Sequence, residues 1–296
     1  MADVYLHKFI GKLSGEQVDS YGKDGYLAFA NLLSAEEIEQ ARREITALVR
    51  AAVVDKEDEG DRDNPFHAQV EPGFEFSPDN SLEQVELKVR KLMFFCQRDG
   101  LFGDWSKSHP AVQGLAEALL GTNPVLFQDT TLIKPAHIGS EKPWHQDDAY
   151  FNILPKEDVA GIWIALDDAT IENGCMHVFP GAHLRGPRRH ILGPVLVPGD
   201  DGDVVSNDLT DCQVAPSRLP PQAAVPIELP AGGGMIFNGL LPHQTPPNST
   251  PKRRRAVQFH YHGAGCRRVS EEAYDLAFAD EDGTPASCRH AATARG

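Results

Sequence analysis

The sequence predicts an α+β fold, mainly β, in which N-terminal helices brace an antiparallel barrel. Apolar residues recur at helical spacing up to about residue 122, and from about 123 the period becomes that of short strands set apart by Gly, Pro and Asp clusters. Helices first and strands second favour segregated layers over an alternating α/β sheet. The 296 residues suit one domain: a helical part (about 1–122), a barrel core (about 123–265) and a tail (266–296).

The elements follow in order. Ser34 and Glu37 have capping-box spacing, and Ile38, Ala41, Ile45, Leu48 and Val49 then repeat along one helical face. Ser81 with Gln84 predicts a second helix start, followed by Val85, Val89, Leu92 and Met93. A shorter helix runs from about Pro110 and stops at Gly121. Between the first two, Asp55 to Asn80 is polar and acid-rich, which predicts a mobile loop. Strands are expected at Val125–Ile133, Ala160–Leu166, Met176–Phe179, Ala224–Leu229, Met235–Phe237 and Arg254–His262. Asn173-Gly174 reads as a hairpin turn. Pro198 to Gln222 lacks periodicity and is expected to be a long loop of the lid kind, and the last sixteen or so residues to be frayed.

Composition narrows the function classes. A formal charge of −15, from 43 acids against 28 bases, repels nucleic acid and anionic membranes, so neither is an expected partner and a small-molecule substrate is. No stretch approaches the roughly 20 apolar residues of a membrane span, and Met1 to Leu13 lacks the apolar core of a signal peptide. The five cysteines are scattered without CxxC spacing, which points to reduced thiols and a cytoplasmic protein.

The chemistry concentrates in His145-Gln146-Asp147, with His243 about a hundred residues on and Arg254 beyond it. Residues two apart on a strand share a face, so His145 and Asp147 can hold one cation, and His243 completes a two-histidine, one-carboxylate triad. Such a set leaves coordination positions open and is typical of non-haem Fe(II) oxygenases. His-x-Asp triplets also arise by chance in polar loops, and an isolated histidine such as His243 is usually structural; the combination with an arginine in register argues against both. On a strand from Arg253 to His260, Arg254, Ala256, Gln258 and His260 share one face, and Arg253, Arg255, Val257 and Phe259 the other. A polar interior selects Arg254, whose fork grips a carboxylate through two bonds. Arg253 and Arg255 are then expected as solvated edge charge, with Val257 and Phe259 packed on the helices. His260 falls on the inward face, where a satisfied core histidine is the simpler reading.

The chain resembles the phytanoyl-CoA dioxygenase (PhyH) family of Fe(II)/2-oxoglutarate-dependent oxygenases, from about Asp24 to His262. The matching stretches are Asp24 to Leu27, Leu33 to Glu37, Gln128 to Pro135, Trp144 to Phe151, Gly161 to Thr170 running into Glu172 to Cys175, Pro180 to His183, and His243 through Pro246, Asn248 and Arg254 to Ala256. The stretch from Trp163 to His183 is the most specific and is similar to the phytanoyl-CoA dioxygenase domain-containing branch. The resemblance implies a double-stranded β-helix (jelly-roll, cupin-like) core, iron on His145, Asp147 and His243, and 2-oxoglutarate with O2 as co-substrates. Arg254 would grip the distal carboxylate and Thr245 would hydrogen-bond it. Trp163, Gln128 and Thr130 would line the pocket, and Lys91, on the second helix, would approach it. Halogenating relatives replace the metal carboxylate with a small residue, so Asp147 favours oxygenation, most simply hydroxylation of an unactivated C–H bond with release of succinate and CO2. Desaturation, cyclisation and epoxidation use the same chemistry. Two rival classes are a non-catalytic jelly-roll that binds a metabolite and a cupin-type metal isomerase or hydrolase, in which Arg254 has no evident role. Tyr150 and Phe151 beside the metal suggest a small organic substrate, and the acidic loops at Asp55 to Asp63 and Asp200 to Asp203 favour a free metabolite or natural-product intermediate over a CoA ester.

Overall fold

The computed structural model of the chain describes residues 4–55, 66–71, 74, 77 and 79–293. In chain order, α1 (Gly15–Asp24), β1 (Tyr26–Phe29) and α2 (Ala35–Val49) are followed by β2 (His67–Val70), α3 (Leu82–Glu86), β3 (Val89–Met93), α4 (Leu101–Ser108) and α5 (Pro110–Leu120). The barrel strands are β4 (Val125–Lys134), β5 (Lys142–His145), β6 (Ile153–Leu154), β7 (Val159–Ala165), β8 (Met176–Val178), β9 (His190–Val197), β10 (Val204–Val214), β11 (Val225–Ile227), β12 (Gly234–Asn238), β13 (His243–Thr245), β14 (Arg254–His262) and β15 (Arg267–Arg268). Two helices close the chain, α6 (Glu271–Ala277) and α7 (Cys288–Thr293).

A seven-stranded sheet in the order β1-β12-β7-β14-β4-β3-β2 faces a four-stranded sheet in the order β11-β8-β13-β5, and every described ladder is antiparallel. This is a double-stranded β-helix. Its two cores divide by strand parity. Trp163, Met235, Phe237 and Ala256 point between the sheets, where they meet Met176, Val178 and Ile227. Their neighbours Ile162, Ile164, Ile236, Val257 and Phe259 point outward and pack on Ile38, Ala41, Ile45, Phe102, Val112 and Leu115 of α2, α4 and α5. Strand β7 is therefore buried on both faces, which is why it reads as an unbroken apolar run.

The capping boxes form as the spacing predicts. Ser34 Oγ accepts from the Glu37 N–H, and Glu37 Oε2 accepts from the Ser34 N–H at 2.7 Å. The box at Ser81 and Gln84 forms too, but α3 ends at Glu86 and the chain turns into β3. Local helical signal loses there to a sheet ladder: β3 pairs with β2 and β4, and the Leu92 N–H donates to Thr131 Oγ1 at 3.0 Å. Lys91 consequently sits on a strand. The helical part thus contributes three strands, β1, β2 and β3, to the larger sheet. The acidic run from 56 to 65 expected as a mobile loop lies outside the described residues, while β2 occupies part of that stretch.

Four other expectations are corrected. The stretch Pro198 to Gln222 contains β10, which pairs with β9 on either side of a bulge between Val205 and Thr210; Asp211 pairs in the ladder, opposite Gly193. The residues after 266 are ordered through α6 and α7, with Tyr274, Phe278 and Ala286 packed against Ala149 and Leu240. Asn173-Gly174 makes a turn, but β7 and β8 belong to different sheets, so it is a corner between layers. Last, Cys212 and Cys288 form a disulfide joining β10 to α7, leaving Cys96, Cys175 and Cys266 free. The scattered cysteines therefore do not argue for a reducing compartment, because pairing joins residues far apart in sequence. Among the described residues no helix is long and apolar enough to cross a membrane.

Candidate active site

His145 ends β5 and His243 begins β13, and the two strands pair with these residues directly opposite each other. The cross-strand register stacks the imidazoles with ring centroids 4.2 Å apart. Asp147 arrives by a different route from the one its spacing suggests. Strand β5 stops at His145 and Asp147 opens a 3-10 turn, Asp147–Tyr150, which swings the carboxylate back over the histidines. Asp147 Oδ1 lies 3.3 Å from His145 Nε2 and 3.7 Å from His243 Nε2. All three ligand atoms fall within 4.8 Å of one another, and all three residues are buried.

The protonation pattern suits a cation. His145 Nδ1 donates to the Pro143 carbonyl at 2.8 Å and His243 Nδ1 to the Leu241 carbonyl at 2.9 Å. A carbonyl only accepts, so both Nδ1 atoms carry the proton and both Nε2 lone pairs face Asp147. Burial, with the neighbouring His243 and Lys142, pushes His145 down to about 3, and burial likewise lowers His243. For Asp147 burial alone would favour the protonated acid, but the neighbouring His243 and His260 hold it well below the usual carboxylate range. Two neutral imidazoles and one carboxylate are thus present before any metal arrives.

Four buried polar residues that spacing did not single out position the triad. Gln146 Nε2 donates to the Leu240 carbonyl at 2.6 Å and to the Gly186 carbonyl at 3.0 Å, and its Oε1 accepts from the Arg188 N–H at 2.7 Å. His190 Nε2 accepts from the Gln146 N–H at 3.1 Å. Asp147 Oδ2 lies 2.8 Å from His260 Nε2 and accepts from Gln258 Nε2 at 3.2 Å. His260 is held between aromatic rings, 5.1 Å from Phe151 and 5.9 Å from Phe127 between centroids. Tyr150, expected to face the substrate, has its hydroxyl engaged: it accepts from Lys142 Nζ at 2.8 Å and donates to the Cys212 carbonyl at 3.2 Å.

A cavity of about 310 Å³ opens from the triad, and Arg254, Thr245, Gln128, Thr130 and Lys91 all line it. Arg254 is 1% exposed, and its fork reaches only the carbonyls of Leu132 (3.0 Å) and Gly174 (3.3 Å). Its Nε is buried with no partner, and no carboxylate among the described residues pairs with it. Burial lowers Arg254 to about 10. A buried guanidinium without a counterion is costly unless a ligand supplies one. Trp163 does not line the cavity; it lies behind Arg254, with the guanidinium carbon 5.3 Å from the ring centroid and the indole N–H unpartnered. The Thr130 hydroxyl is turned to the Leu92 carbonyl at 3.0 Å. Burial lowers the Lys91 amine to about 8.

The remaining arginines correct the expectation of solvated edge charge. Arg255 is buried and forks onto Asp167 through two 2.8 Å bonds, with Arg42 on the same carboxylate at 3.0 Å. Arg253 donates to Glu86 at 2.7 Å. Both lie on the face opposite Arg254, where they tie the barrel to its helices.

The profile of the phytanoyl-CoA dioxygenase (PhyH) family matches residues 21–256. A phytanoyl-CoA dioxygenase of Arabidopsis thaliana is 30% identical over 273 residues, covering 87% of this chain and 92% of its own. Phytanoyl-CoA dioxygenase domain-containing protein 1 of Bos taurus is 28% identical over 277 residues, covering 84% and 89%. Among solved structures, EctD of S. alaskensis with bound Fe superposes with a TM-score of 0.65 at 18% identity, covering 90% of this chain and 83% of that one. EvdO2 of Micromonospora carbonacea var. aurantiaca, complexed with 2-oxoglutarate, gives 0.56 at 21% identity, covering 90% and 96%. The buried triad and the unneutralised arginine fit that iron and that co-substrate. This chain belongs to the phytanoyl-CoA dioxygenase (PhyH) family and is a 2-oxoglutarate-dependent non-haem iron dioxygenase.

Proposed function

We propose that the protein hydroxylates an unactivated C–H bond of a small organic metabolite or natural-product intermediate. His145, Asp147 and His243 would hold Fe(II), and Arg254 would bind the distal carboxylate of 2-oxoglutarate. The buried Arg254 guanidinium without a counterion carries this reading, since it needs a dianionic guest and a metal isomerase or hydrolase would leave it without one. Thr245, Gln128 and Lys91 share the cavity wall and would contribute hydrogen bonds or charge; Thr130 would offer only its apolar side, and Trp163 would set the Arg254 plane from behind.

Fe(II) held there with 2-oxoglutarate and O2 would supply the oxidising power, with succinate and CO2 as the co-products. The chain's own residues do the rest. The Nδ1–H bonds to Pro143 and Leu241 orient the two imidazoles, and Gln258 and His260 fix the Asp147 oxygen turned away from the histidines. Phe127 and Phe151 wall the site beside His260, which keeps water from reacting groups. A free metabolite is favoured over a CoA thioester because 310 Å³ must also hold the co-substrate.

The test is succinate release by the Fe(II)-loaded protein with 2-oxoglutarate and O2, screened against metabolites with mass spectrometry for products heavier by one oxygen. A slow release without substrate is expected, abolished in Asp147→Ala and Arg254→Ala. Absence of any succinate, together with unchanged 2-oxoglutarate binding in both variants, would falsify the reading.

A further inference from the structure

Arg90 is in the cavity because β3 carries a bulge. Across the β2–β3 ladder Gln69 opposes Lys91 and Val70 opposes Val89, so one step on β2 spans two on β3 and Arg90 is the extra residue. In a regular strand Val89 and Lys91 would share a face, with Arg90 on the other. Instead Val89 and Leu92 both enter the core against the helices, while Arg90, Lys91 and Met93 all line the cavity. The extra residue therefore places two adjacent cations on one wall.

Each other charge in the cavity has a task. Lys142 is neutralised by Asp211 at 2.7 Å, Lys134 donates to the carbonyls of Ser140 and Thr245, and Glu71 accepts from the Ser140 N–H at 3.2 Å and faces the Lys134 charge. Asp147 belongs to the triad, and Arg254 with Lys91 suits the co-substrate. Arg90 is left over. It is half-buried, no hydrogen bond or ion pair joins it to any described residue, and its charge is felt at Lys91, Lys134 and Asp211. A guanidinium aimed into a cavity with nothing to hold is a site for an oxyanion.

We propose that Arg90 recognises an oxyanion of the primary substrate, so that the molecule oxidised is an organic acid bound with its carboxylate or phosphate on β3 and a C–H bond toward the triad. This deepens the oxygenase reading and rests on it.

The experiment measures succinate release by the Fe(II)-loaded enzyme with four sets of probes: aliphatic and aryl carboxylic acids, their primary amides, their CoA thioesters, and phosphate monoesters of the matching alcohols. Stimulation above the substrate-free rate by acids or by phosphate monoesters, and not by amides, is expected; which of the two stimulates identifies the anion. Arg90→Gln should lower kcat/KM for the stimulating acid roughly ten- to hundredfold, the loss of a charged hydrogen bond, and Arg90→Lys should restore part of it through KM. Lys107→Gln, an exposed charge on α4, controls for net charge and should not move it. Equal stimulation by the amides, stimulation by thioesters alone, an inert acid and phosphate series, or an Arg90→Gln enzyme with wild-type KM would each overturn the proposal. Loss of the substrate-free succinate release in the wild type would instead sink the oxygenase reading itself.

Discussion

Replacing Arg254 with methionine separates what the residue does for the fold from what it does for the ligand. In the ligand-free protein the guanidinium is 1% exposed and lacks a counterion, so methionine removes a buried charge at similar length. Such replacements run from neutral to roughly 1–4 kcal/mol stabilising. The Leu132 and Gly174 carbonyls lose their donors, which returns about 1–2 kcal/mol. The net effect runs from about 2 kcal/mol lost to about 3 kcal/mol gained, an apo Tm between about 4 °C lower and about 6 °C higher at roughly 2 °C per kcal/mol for a chain of this size. For the wild type, 2-oxoglutarate at a hundred times its Kd adds about 2.7 kcal/mol, or roughly 5 °C. Loss of a bidentate charged pair weakens binding by at least about a hundredfold, so the same concentration should move the variant by about 1 °C. Anaerobic thermal denaturation of the Fe(II)-loaded protein, with and without 2-oxoglutarate, reads both quantities. A full ligand-induced shift in Arg254→Met would refute the assignment of the carboxylate to this arginine.

Three further outcomes follow from the same geometry. Burial depresses the Lys91 amine to about 8, so its positive charge is lost as pH rises through that value; 2-oxoglutarate affinity measured by titration should fall above about pH 8, and Lys91→Met should abolish that dependence. His260→Ala removes the group 2.8 Å from Asp147 Oδ2 and should weaken Fe(II) binding by about ten- to a hundredfold in an anaerobic metal titration; unchanged affinity would show that Asp147 is held without it. The Cys212–Cys288 bond closes a 76-residue separation, for which loop entropy gives about 4 kcal/mol, so Cys288→Ser should lower Tm by about 8 °C. A reducing agent should bring the wild type to the same value, and a wild type insensitive to reduction with a stable variant would contradict the bridge.

What could be read from the sequence sorts by range. The α2 capping box and the strand bounds of β14 are decided by residues within a few positions, and the structure keeps them. The β3 strand was hidden because Val85, Val89 and Leu92 fit a helical face equally well, and only the Thr131 hydroxyl and the β2 and β4 ladders choose between the two. Strand β10 was hidden because its ladder is broken by a bulge between Val205 and Thr210, which interrupts the alternation that marks a strand. The disulfide joins a strand to a helix seventy-six residues away, a distance over which cysteine spacing carries no information.

The site divides on a different line. Residue type and spacing singled out His145, Asp147 and His243, and the structure brings the three together, although Asp147 converges through a 3-10 turn instead of along a strand. Strand parity was enough to choose Arg254 over its neighbours, and the same parity put Gln258 and His260 inward. Their partner was the missing information: the β14–β7 register sets Gln258 against Trp163 and His260 against Gly161, whose missing side chain leaves room for the Phe237 ring and Gln258 Nε2, 2.8 and 3.2 Å from where a Cβ would stand. From there Gln258 and His260 both reach Asp147 in the turn after β5. A periodic pattern thus fixes which way a side chain points. What it meets depends on a second strand, which is why the ligands were legible and the residues that orient them were not.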